Sequence, residues 1–183
     1  YPDTLDQYLD LLAYHYDHST NVEKQRYYLR KAGEAAQAAY ANAAAIDYYQ
    51  RALPLLSGPE QTAVMLKLGQ VLELVGQWQE ANDSYRQALA LAEQLAQLPE
   101  QAQAQRSLGW LLRKRGDYAE ALHWMEHARI SFAQLSDPAG VSYLLADIGE
   151  VYRLQTKYEE ARRYYDESLQ LAATVATLSE QMA

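Results

Sequence analysis

Residues 65–93 read MLKLGQVLELVGQWQEANDSYRQALALAE, and this stretch decides the fold. Two amphipathic helices lie in it back to back, divided at Gly76-Gln77, with apolar residues at helical spacing on either side. Small residues (Gly69, Ala81, Ala88) recur where two such helices would touch. A hairpin of this kind leaves one apolar face uncovered, so it needs neighbours built the same way.

Those neighbours are present. Gly69, Gly109 and Gly149 are spaced by 40 residues. Counting from each glycine, an aromatic follows nine residues on (Trp78, Tyr118, Tyr158) and alanine twelve on (Ala81, Ala121, Ala161). Tyr85, Met125 and Tyr165 follow sixteen on, and Ala88, Ala128 and Ser168 nineteen on. The same ruler laid on Gly33, 36 residues before Gly69, finds Ala45, Tyr49 and Ala52, with Asn42 in place of the aromatic. Close helix approach explains the small residues, and the large side chain at the sixteenth position is expected to fill the gap to the next hairpin.

Helices are predicted over 4–17, 22–40, 42–53, 59–75, 78–98, 100–115, 118–135, 138–155 and 158–180, with no strand. The first carries Leu5, Tyr8, Leu9, Leu12 and Tyr16 at helical spacing, with Asp3 as its cap. Pro54 stops the third helix, Leu98-Pro99 is read as a break, and Asp117 and Asp137 as N-caps. The fold class is all-α: a right-handed α-solenoid of stacked antiparallel hairpins, about nine helices in one domain over 1–183. It divides into a leading helix (1–21) and units 22–57, 58–97, 98–137 and 138–183.

Leu68-Gly69-x-x-Leu72, Leu108-Gly109-x-x-Leu112 and Ile148-Gly149-x-x-Tyr152, with the alanines that follow, resemble the tetratricopeptide repeat. Units of 40 residues resemble its long-repeat subgroup, which includes kinesin light chains. The departures are Met65 for an aromatic, Thr156 for the turn glycine and Asn42. Residues 12–56 resemble the segment leading into the repeats of bacterial multidomain regulators that carry a signalling ATPase, often with an adenylate/guanylate cyclase or a transcription-regulator domain. That resemblance implies a C-terminal arm of a larger protein, and a start at Tyr1-Pro2 without methionine reads as a piece of one.

Composition narrows the chemistry. Sixteen basic residues against twenty-four acidic give a formal charge of −8, unsuited to nucleic acid or anionic lipid. The absence of cysteine excludes disulfides and thiolate metal sites and fits a cytoplasmic setting. No apolar run is long enough to span a membrane. All eight glycines are absorbed by helix crossings, turns or connections, leaving none for a phosphate loop. No hydrolase or metalloprotease motif occurs, so the chain is read as no enzyme, with no cofactor and no metal. His15/His18 and His123/His127 have two-ligand spacing but no carboxylate or thiol cluster beside them, and are read as solvated.

Function is therefore sought in the groove that the first helix of each tetratricopeptide hairpin lines. Positions six and three before the glycine, and one, four and five after it, share a helical face. The groove candidates are Tyr27, Arg30, Gln70, Arg106, Trp110, Arg113, Lys114, Tyr143, Glu150 and Arg153. In the third unit that face is Arg106, Trp110, Arg113 and Lys114, a basic aromatic patch in an acidic protein. One reading is a docking groove for an acidic protein or peptide segment. The other is that Trp110 packs on its neighbour while the arginines pair with Asp147 and Glu150. The lysine–asparagine pattern of chaperone-tail clamps does not occur. Three functions stay open: a non-catalytic protein-interaction scaffold or sensor, self-association as a homodimer through the last helix, and a small-ligand or metal-binding regulatory domain.

Overall fold

The computed structural model describes the backbone of residues 8–181 and the side chains of residues 8–177. The expected cap Asp3, and the apolar side chains of Leu5 and Leu178, lie outside that range. Among the described residues nine α-helices follow one another: α1 (Leu9–Asp17), α2 (Val22–Ala38), α3 (Asn42–Ala52), α4 (Gly58–Leu74), α5 (Trp78–Gln94), α6 (Leu98–Arg115), α7 (Tyr118–Gln134), α8 (Pro138–Leu154) and α9 (Tyr158–Gln181). Pro54 sits in a 3₁₀ turn over Leu53–Leu55 that ends α3. Among the described residues there is no strand, and no helix is long and apolar enough to cross a membrane. The chain forms two compact units that divide between Leu91 and Ala92.

One backbone device ends most of these helices. Tyr40, Gly76, Ala96, Gly116, Ser136 and Thr156 all have positive φ, between 52° and 84°. The amide after each returns to the carbonyl five residues back, as in Gln97 to Ala92 at 2.8 Å and Asp117 to Leu112 at 2.9 Å. This closes the last turn and satisfies carbonyls the helix would leave open. Only two of the six are glycine; the others accept the left-handed conformation at a cost of about 1 kcal/mol each. The break read at Leu98-Pro99 is therefore corrected: the chain turns at Ala96, and α6 begins at Leu98 with Pro99 in its first turn. Proline marks the helix start here because its missing N–H has no partner to lose there.

At the caps, Asp137 accepts from the Gly140 amide at 2.9 Å, and Asn21 accepts from Lys24 at 3.0 Å. Asp117 stands at its N-cap position without a side-chain cap bond and lies 3.3 Å from Arg115 instead.

Within each hairpin the helices run antiparallel. In α6 and α7, Gln105 meets Ser131 while Gly109 meets Met125; in α8 and α9, Ser142 meets Ser168 while Gly149 meets Tyr165. The residue sixteen after each glycine lies on that glycine in its own hairpin. A Cβ on Gly33 would fall 2.6 Å from the Tyr49 ring, and one on Gly109 would fall 2.7 Å from Met125 Cγ. The expectation that this side chain fills the gap to the next hairpin is thus corrected. The space left by a missing Cβ on the facing helix is filled first. Between hairpins of the second unit the contact is Phe132 of α7 against Gly140 of α8, in a core with Ala102, Met125, Leu144, Ile148 and Val151.

Candidate functional site

In the second unit, Arg106, Trp110 and Arg113 recur at helical spacing along one face of α6, beside the α8 face that carries Asp147, Glu150 and Arg153. Trp110 is 36% exposed, and its indole N–H donates to Asp147 Oδ2 at 2.6 Å, tying the two helices together. A bond this short to a carboxylate is charge-assisted. The Arg106 guanidinium lies 5.2 Å from the Trp110 ring and 5.6 Å from that of Phe132, and donates to Gln103 at 2.8 Å. Stacking of this kind fixes a cation without neutralising it.

The carboxylates differ. Burial pushes Asp147 above its ordinary range, with Glu150 adding to the rise, and the bond from Trp110 and the charges of Arg113 and Arg106 only partly oppose this. Glu150 accepts two bonds from Arg153, at 2.7 and 2.6 Å, and one from the Tyr165 hydroxyl at 2.9 Å. With Arg153 as the main cause, its carboxyl is held down to about 2.

Arg113 has no such tie. Among the described residues its side chain makes no hydrogen bond or ion pair, and its buried Nε has no partner. The charge acts on Asp147 and Glu150 through space alone. A buried donor without an acceptor costs about 1–3 kcal/mol.

The remaining expected residues fall into other surroundings. Lys114 is exposed near the end of α6, and Tyr143, also exposed, lines a hollow of about 250 Å3 between α8 and α9 with Ser142 and Val175. In the first unit, Tyr27 and Arg30 line a cleft of about 280 Å3 with Asn21, Lys24, Arg26 and Glu60. Arg30 is loosely paired there, 3.6 Å from Glu34 and 4.0 Å from Glu60. Burial would raise Glu34, but bonds from Lys67 at 2.6 Å and Lys31 at 3.1 Å hold it below the ordinary range. Gln70 is half-buried on α4. His123 and His127 are exposed with ring centres 4.5 Å apart, and among the described residues no three histidine or acidic side chains group to hold a metal.

Two family models, each described as tetratricopeptide repeat, match residues 61–129 and 144–178. The chain carries tetratricopeptide repeats. No curated protein matches the sequence. Among solved structures it is similar to BtubC (BKLC) from P. vanneervenii, at 17% identity over 87% of this chain and 67% of that one, with TM-score 0.79. It is also similar to a Podosopora anserina putative kinesin light chain with nearly identical TPR-like repeats, at 15% identity over 94% and 87%, with TM-score 0.79. A Rap protein complexed with Competence and Sporulation Factor matches at 22% identity and TM-score 0.72, over 93% of this chain and 51% of that one. These likenesses show the fold, an all-α array of tetratricopeptide hairpins.

The repeat register also shows what sequence reasoning passed over. Asp147 lies two residues before its glycine, outside the five positions assigned to the groove, yet it holds Trp110. The same position carries Lys31 and Lys67 in the first two repeats, both bonded to Glu34. Recurrent polar residues two before the glycine were the available signal.

Proposed function

We propose that this chain is a non-catalytic interaction module whose second unit docks an acidic peptide segment of a partner protein along α6 and α8. The observation that carries it is the pair Arg106 and Arg113, two cations with no ion-pair partner on either side of a part-exposed indole, in a chain of formal charge −8. In so acidic a protein, two groove cations without a carboxylate partner stand out, and Trp and Arg are the side chains that dominate binding hot spots. The Rap protein, complexed with Competence and Sporulation Factor, lends an analogy for a partner bound by a protein of this fold. As an arm of a larger bacterial regulator, such a module would act as scaffold or sensor.

The test is fluorescence anisotropy with a labelled nine-residue peptide of glutamates around a central leucine, and its glutamine counterpart. The glutamate peptide should bind more tightly, and Arg106→Ala or Arg113→Ala should each weaken it about tenfold, roughly 1.4 kcal/mol, with helicity unchanged. Equal affinity for the two peptides would refute the groove.

A second reading, self-association through α9, is favoured by its exposed Leu169 and by the largely apolar hollow beside Tyr143. Sedimentation over a hundredfold concentration range distinguishes it: a strict monomer removes it.

A further inference from the structure

Three repeats share a latch that the third lacks. Where the sixteenth residue after the glycine is tyrosine, its ring crosses that glycine and its hydroxyl emerges among the groove side chains. Tyr49 donates to Gln37 at 2.7 Å, Tyr85 to Glu73 at 3.0 Å and Tyr165 to Glu150 at 2.9 Å. Gln37 and Glu73 stand four residues after their glycines. In the fourth repeat that position is Arg153, which the Tyr165 hydroxyl also touches and which Glu150 grips with two bonds. Each of these groove residues is thereby given a fixed partner inside its own hairpin.

The third repeat keeps the frame and loses the latch. Met125 is fully buried in the same seat, its Cγ against Gly109. A thioether is only a weak acceptor and carries no hydroxyl to extend into the groove. The position one after the glycine, glutamate in the fourth repeat, is Trp110, which accepts nothing. Arg113 and Arg153 are thus the same residue at the same register with opposite fates. Arg153 is tied on two sides, and Arg113 keeps a buried Nε without a partner.

We propose that Met125 is the positioning residue that opens this groove: by withholding the hydroxyl its counterparts supply, it leaves Arg113 to be completed by a carboxylate of the docked peptide. The proposal rests on the acidic-peptide reading above and names the residue that makes the third repeat the receptive one. Side chains around Met125 need not be rebuilt to test it, because tyrosine already fits the same seat over Gly33, Gly69 and Gly149.

Met125→Tyr should install the latch and weaken the glutamate peptide at least fivefold with helicity unchanged. Met125→Phe, with the same ring and no hydroxyl, should stay within about twofold of the unaltered chain. Equal effects of the two variants, or no effect of either, would overturn the proposal. A second measurement does not depend on the variants folding. In the unaltered chain, the arginine Nε–H resonance of Arg113 should move on adding peptide while that of Arg153 stays; a still Arg113 signal overturns the proposal. If Arg106→Ala and Arg113→Ala also leave affinity unchanged, the groove reading itself has failed. If they weaken it and Met125→Tyr does not, only the latch has.

Discussion

Gly69→Ala tests how tightly a hairpin closes, because two effects of opposite sign compete there. Alanine is the better helix former by about 1 kcal/mol, so on propensity alone the substitution in α4 should stabilise. Its methyl, however, would stand 2.6 Å from Cδ1 and 3.0 Å from Cζ of Tyr85. That ring is 1% exposed and tethered to Glu73 at 3.0 Å, so it cannot swing aside without losing that bond. Relief must come from helix separation, and overpacking of this kind costs about 1–3 kcal/mol, the upper end fitting a fixed ring. Packing wins, and the net loss is about 2 kcal/mol. Urea unfolding followed by circular dichroism should show a lower midpoint with an unchanged slope. In a Tyr85→Ala background the same change should stabilise by the helix term alone, about 1 kcal/mol, giving a coupling of about 3 kcal/mol in the double-mutant cycle. A stabilising Gly69→Ala in the unaltered chain would refute the close-approach account.

Three further outcomes are expected. Ala96→Gly relieves a left-handed alanine and should stabilise by about 0.5 kcal/mol after the flexibility glycine adds to the unfolded chain, whereas Gly116→Ala should destabilise by about 1 kcal/mol; thermal melts compare them. Glu150, held at about 2 against an ordinary 4.5, contributes stability present above pH 4.5 and lost as pH falls toward 2, and Glu150→Gln should flatten that limb of an acid titration. Asp147 is shifted the other way, so its contribution is full below its ordinary 3.8 and declines as pH rises through its higher folded value. Asp147→Asn, which keeps an acceptor for the Trp110 indole, should therefore gain stability relative to the unaltered chain between pH 4 and pH 7, and Trp110 emission should stay unchanged.

The hairpins were legible because their contacts are made by residue types that do little else. A glycine inside an amphipathic helix, recurring 40 residues on, has few explanations besides close approach, and Tyr49, Tyr85, Met125 and Tyr165 are found on those glycines. The turns were legible only where glycine supplies the left-handed residue. At Ala96 the left-handed residue is an alanine, which leaves no glycine in the sequence to mark the turn, so Pro99 drew the boundary late. Direction within the hairpin was also hidden, since a large residue at a fixed spacing can fill a gap in its own hairpin or in the next.

The groove divides along the same line. Register alone places Arg106, Trp110 and Arg113 on one face, because that needs only the pitch of a helix. Which of them is satisfied depends on atoms brought from other helices: a carboxylate from α8 for Trp110, a hydroxyl from α7 or its absence for Arg113. The packing alternative for the patch holds only in part, as Trp110 is bonded to Asp147 and Arg153 to Glu150, while Arg113 is bonded to neither. A repeated frame makes that contrast interpretable. With Gly109 and Gly149 holding equivalent helices at equivalent distances, the different state of Arg113 and Arg153 traces to two side-chain differences, Met125 for Tyr165 and Trp110 for Glu150. Specificity in such an array can thus arise by deleting an internal bond, which leaves the fold intact because the seat stays filled and leaves one cation short of a partner.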